Sequence, residues 1–88
     1  MLWSYAILPD ETSIAYSATR PDGTVHIVAE RPIDFGFDHA ECNLPLCDWT
    51  DSHGFSQEEM SALTTFLKNN APLIFDMADE RLEEKEIA

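Results

Sequence analysis

An α+β fold, with an antiparallel sheet of three to four strands covered on one face by one kinked or two C-terminal helices, is the class that this sequence predicts. Three observations carry it. The first half of the chain holds stretches that alternate apolar and polar residues, the period of a half-buried strand. A turn sequence, RPDG, separates two of those stretches. The second half opens with SQEE ahead of an apolar stripe at helical spacing, the signature of a helix N-terminus. Eighty-eight residues make one domain, 1–88. A chain of this length buries about 60–65% of the surface its unfolded form exposes.

The elements follow in order. Leu2 to Leu8 (LWSYAIL) is apolar and aromatic and reads as a strand, and PDET at Pro9 to Thr12 reads as a turn. Thr12 to Thr19 alternates, with Ile14, Tyr16 and Ala18 on one face. Arg20 to Gly23 is a hairpin turn: Pro21 presets its own dihedral and Gly23 takes a positive φ. Thr24 to Glu30 alternates again, with Val25, Ile27 and Ala29 inward and His26 on the outer face. Pro32 to Gly36 reads as a loop. His39 to Leu44 alternates through Ala40, Cys42 and Leu44 and reads as a fourth strand, ended by Pro45. Leu46 to Gly54 reads as irregular, anchored by Trp49.

Ser56 is the expected N-cap, Glu59 its capping-box partner at N3, and Phe55 and Met60 a hydrophobic staple. Met60, Leu63, Phe66 and Leu67 form the expected buried stripe. KNNAP, Lys68 to Pro72, should interrupt it, because proline lacks the amide donor and clashes with the preceding turn. Asn70 could cap a second helix through Ile74, Met77, Ala78 and Leu82. A single kinked helix is the alternative, since the stripe stays nearly in phase. The polar residues after Leu82 are expected to fray.

Charge narrows the function. Seventeen Asp and Glu against five Lys and Arg give a net charge of −12. Phosphate binding needs a basic footprint, so direct binding of nucleic acid or of an anionic membrane surface is excluded. No apolar run reaches the length of a membrane span. The opening MLWSYAILPDE lacks the basic start and cleavage site of a signal peptide, and a cytoplasmic protein is expected. Two cysteines, Cys42 and Cys47, do not make a disulfide framework and read as small core residues.

Ile33 to Glu59 holds seven carboxylates, two histidines and both cysteines, without a lysine or arginine. His39, Cys42, Cys47 and His53 are zinc-ligand types, with Asp38, Glu41, Asp48 and Asp51 interleaved. On a strand, however, His39 and Cys42 point to opposite faces, and Cys42 shares its face with Ala40 and Leu44. Burial explains the cysteines better, and no metal site and no cofactor are expected. Catalysis is not expected either. No strand–turn–helix elbow surrounds a serine, no glycine-rich loop cradles phosphate, and Cys47 beside Asp48 lacks the electropositive setting of a reactive thiolate. Glu58 and Glu59 suit the positive end of the helix dipole.

Binding remains. Unpaired like charges cost stability, and Phe35, Phe37 and Trp49 lie among them. Carboxylates around aromatics suit a basic partner, with charge steering the encounter and rings anchoring it. The expected contacts are Asp34, Asp38, Glu41, Asp48 and Asp51, with Phe37 and Trp49 as anchors. In size, its sequence pI of about 4.2 and α+β texture, the chain resembles the small acidic inhibitors of phages and mobile elements, anti-CRISPR proteins and other DNA mimics. That resemblance implies a partner whose Arg- and Lys-lined groove normally holds nucleic acid. It covers overall character only and assigns no residue. An antitoxin or small accessory protein, binding one basic partner through its sheet face or edge strand, is the alternative, and a homodimer paired through Leu2 to Leu8 is a third reading.

Overall fold

The computed structural model describes the backbone of residues 1–87 and the side chains of residues 1–82. Five strands form one antiparallel sheet in the order of the chain: β1 (Trp3–Ile7), β2 (Ser13–Tyr16), β3 (Val25–Ile33), β4 (Gly36–Leu44) and β5 (Asp48–His53). A single helix, α1 (Gln57–Ile87), follows and covers one face. The α+β class, the β2–β3 pairing and the alternation are as expected. The strand count is five rather than three to four.

Alternation decides which side chains the helix covers. Ile14 and Tyr16 of β2, Val25, Ile27 and Ala29 of β3, and Ala40, Cys42 and Leu44 of β4 are fully buried. Register aligns them in rows: Ile14, Ala29 and Ala40 in one, Tyr16, Ile27 and Cys42 in another. Leu63, Leu67, Ile74 and Ala78 of α1 close the core from the other side. The RPDG turn forms, with Gly23 at positive φ and Asp22 Oδ1 accepting from both the amide and the hydroxyl of Thr24 at 3.0 and 2.7 Å.

Three expectations are corrected. Residues 32–36 are not a loop: β3 and β4 run on until Ile33 pairs with Gly36, leaving a tight tip of Asp34 and Phe35. Leu46 to Gly54 is not irregular, because Asp48–His53 pairs with β4 as an edge strand. A bulge there inserts Thr50 between Trp49, opposite Cys42, and Asp51, opposite Glu41. One extra residue breaks the period of two on which a strand is read. Of the two helix readings the single one holds and the division at KNNAP falls, since α1 runs through it with Pro72 inside. The buried residues Leu63, Leu67, Ile74 and Ala78 share one stripe across Pro72, so continuous burial outweighs one missing backbone bond. Asn70 does not cap a second helix. Its amide donates to Phe66 O at 2.7 Å and its Oδ1 accepts from Tyr5 Oη at 2.7 Å, tying α1 to β1. The fraying expected after Leu82 falls on side chains outside the described residues.

The helix start is as expected. Glu59 N donates to Ser56 Oγ at 3.1 Å and Ser56 N donates to Glu59 Oε1 at 2.8 Å, completing the reciprocal capping box.

Candidate functional site: the uncovered face of the sheet

Positions that alternate with the core line the opposite face of the sheet, which no element among the described residues covers. Over β1 and β2 these positions hold small or apolar residues, Ser4, Ile7, Ser13 and Ala15. Over β3 to β5 the face changes character. Glu30, His39 and His53 form one row, Glu41 and Asp51 a second, and His26, Asn43 and Asp48 a third. All three histidines of the protein lie on this face.

The side chains of these rows form one network. His39 sits at its centre, with Nδ1 at 3.0 Å from Glu30 Oε2 and Nε2 at 2.8 Å from Glu41 Oε2. Glu41 Oε1 lies 2.7 Å from His26 Nε2. Asp51 Oδ2 lies 3.8 Å from His39 Nε2, and Asp51 Oδ1 lies 2.9 Å from His53 Nε2. Both ring nitrogens of His39 face carboxylate oxygens, which suits an imidazolium that donates twice. Glu41 first, and Glu30 after it, therefore hold the His39 pKa above the usual histidine value. Reciprocally, His39 and then His26 hold the Glu41 carboxyl below its usual value.

At one end of this face, the β3–β4 tip projects. Phe35 is fully exposed, and Ile33 and Phe37 are more than half exposed. Asp34 lies between the first two. Large apolar side chains rarely stand together in water at a hairpin tip without a partner.

Of the seven residues expected to contact a partner, Asp34, Phe37, Glu41, Asp48 and Asp51 lie on this face or at its tip. Asp38 and Trp49 turn toward the helix instead. Strand alternation puts Asp38 on the inner face, where Arg31 holds its Oδ2 through Nε at 2.9 Å and Nη2 at 2.7 Å. Gly54 closes over this carboxylate, and a Cβ there would meet Asp38 Oδ1 at 1.9 Å. Trp49 is half-buried against the core and donates through Nε1 to Thr64 Oγ1 at 2.8 Å. It is a link between β5 and α1, which removes it as an exposed anchor.

Arg31 is also the counter-charge that the acidic stretch lacks within its own limits. Besides Asp38 it pairs with Glu59 of α1 and, at 3.2 Å, with Asp10 of the β1–β2 turn, and it stacks on the Phe55 ring at 4.8 Å. The Arg31 contact, followed by the Ser56 amide, lowers the Glu59 pKa to about 2. The cysteines read as core residues are so: Cys42 Sγ and Cys47 Sγ are buried 3.5 Å apart, and burial pushes the Cys42 thiol up.

Reading along the chain missed His26, Glu30, His39 and His53 as one group. Its signal was present, because His26 and Glu30 fill polar positions of one alternation and His39 and Glu41 those of the next. Comparisons with protein-family models, with curated proteins and with solved structures find no match to this chain. No described helix is long and apolar enough to cross a membrane.

Proposed function

We propose that the protein is a non-enzymatic, acidic binding protein that covers a positively charged protein surface of the kind that holds nucleic-acid phosphates. One observation carries the reading: the exposed side chains Ile33, Phe35 and Phe37 stand at the rim of an uncovered sheet face that bears Glu30, Glu41, Asp48 and Asp51. Aromatic side chains are enriched at protein interfaces, where a few anchors carry most of the binding energy, and complementary charge supplies encounter rate and register. The net charge of −12 extends the attraction over the whole molecule.

The face is favoured over an edge as the binding element. β1 is bulged between Ser4 and Ala6, β5 is bulged at Thr50, and bulges blunt an edge against pairing with another strand. This weighs against the antitoxin or accessory reading in its edge-pairing form, and against a homodimer joined through β1.

The test is affinity capture from nuclease-treated lysate with the wild-type chain and with a Phe35→Ser, Phe37→Ser variant. The expected result is a basic nucleic-acid-binding protein retained at low salt, displaced by DNA or RNA, and lost with the variant. A partner retained equally by the variant, and indifferent to salt and nucleic acid, overturns the proposal.

A further inference from the structure

We infer that His39, Glu41 and Asp51 form a binding site for one divalent transition-metal ion of the zinc type. The inference shares Glu41 and Asp51 with the binding face proposed above but does not rest on that role.

Geometry supplies the first argument. One ring nitrogen of His39, a Glu41 oxygen and an Asp51 oxygen all lie within 4.8 Å of one another. His39 Nε2 is 2.8 Å from Glu41 Oε2 and 3.8 Å from Asp51 Oδ2. Ligands at zinc distances of about 2.0–2.1 Å in a tetrahedron stand about 3.3–3.4 Å apart, and the two observed separations bracket that value.

The surroundings supply the second argument. Histidines that bind metals give their other ring nitrogen to a carboxylate or carbonyl, which orients the ring and raises its basicity. His39 Nδ1 lies 3.0 Å from Glu30 Oε2 and keeps its proton there, while the ion displaces the Nε2 proton to solvent and takes that nitrogen. The ligand carboxylates are braced in the same way: His26 Nε2 meets the second oxygen of Glu41 at 2.7 Å, and His53 Nε2 meets the second oxygen of Asp51 at 2.9 Å. All six side chains project from paired strands rather than from loops.

Chemistry selects the ion. One imidazole and two carboxylates offer a mixed nitrogen and oxygen set whose two negative charges match a dication. Calcium prefers six to eight oxygens, which three side chains including an imidazole do not offer. The thiols take no part, since Cys42 and Cys47 are buried on the other face of the sheet. The uncovered face leaves a fourth position to water or to a ligand brought by a partner.

The experiment is calorimetric titration of the isolated full chain with Zn2+ in excess Mg2+, which occupies diffuse acidic sites. Co2+ absorption is recorded in parallel and far-UV circular dichroism monitors folding. One ion per chain is expected. Affinity should fall by about 100-fold or more in His39→Gln and Asp51→Asn and by about 10-fold in Glu30→Gln, the range seen when the group behind a metal-bound histidine is removed. It should be unchanged in Asp76→Asn, on the exposed side of α1. A Co2+ spectrum without a thiolate charge-transfer band is expected. Absence of Zn2+ binding, binding unchanged in a folded His39→Gln variant, or a thiolate band overturns the inference. Any of these leaves the proposed partner binding untouched, because no partner enters the measurement.

Discussion

Two charged clusters occupy opposite faces of the same two strands, β3 and β4, and they are built on different cations. Beneath the sheet, Arg31 gathers Asp10, Asp38 and Glu59. Above it, His39 gathers Glu30, Glu41 and, more loosely, Asp51. Arginine keeps its charge at every accessible pH, and its planar fork meets carboxylates in a set geometry. A permanent charge suits a joint, and Arg31 joins a turn, two strands and the first turn of the helix. Histidine gains and loses charge near neutrality. A switchable charge on an uncovered face suits binding. Residue class alone does not distinguish acids that hold a fold together from acids that meet a ligand; the cation opposite them and the face they occupy do.

The largest effect that tests this contrast is on stability. Arg31→Met leaves the buried carboxylate of Asp38 without its partner, and loss of one member of such a pair costs about 3–5 kcal/mol. Urea denaturation should show that loss, whereas His39→Gln above the cluster should change stability by less than about 0.5 kcal/mol, as for most surface substitutions. Equal effects at the two sites would remove the distinction between joint and surface.

Ser56→Ala sharpens the account of the inner cluster. Its hydroxyl caps Glu59 N, while Glu59 bonds back to Ser56 N and reaches Arg31. Loss of an N-cap costs about 1 kcal/mol. Double-mutant analysis with Arg31→Met should return a coupling energy, because Glu59 belongs to both arrangements. Strict additivity would mean that the cap and the ion cluster are separate.

The smallest effect is the pH dependence, and the two clusters bend it in opposite directions. Glu59 titrates at about 2 when folded and near 4.5 otherwise, so its contribution is present above the higher value and lost as pH falls toward the lower. The folded His39 pKa lies above its ordinary value of 6.5. Its contribution is full below that value and lost as pH rises through the raised one. Thermal melting across pH should therefore show an acid limb that Glu59→Gln flattens and a near-neutral decline that His39→Gln flattens. A wild-type decline that persists unchanged in His39→Gln would break the assignment of the outer network.

Much of this architecture is legible in the chain. Val25, Ile27, Ala29, Ala40, Cys42 and Leu44 announce their face by alternation, and Ser56 and Glu59 announce the helix start. β5 escapes because its bulge at Thr50 puts Trp49 and Ser52 on the inner face at a spacing of three. The chain leaves one helix or two open because Pro72 is a strong local signal, and the burial of Ile74 and Ala78 that decides for one is a tertiary effect. Arg31 escapes as the counter-charge because it lies two residues before the acidic stretch begins, and pairing across the hairpin brings it opposite Asp38.

Local pattern was enough for the class of fold, most of the apolar core and the excess of negative charge. Period and composition are local, and they specify which side of a strand a residue faces. Tertiary structure alone decided which carboxylates meet Arg31 and which meet His39. Those partners belong to different strands and to the helix, so register, a bulge and the docking of α1 had to select them.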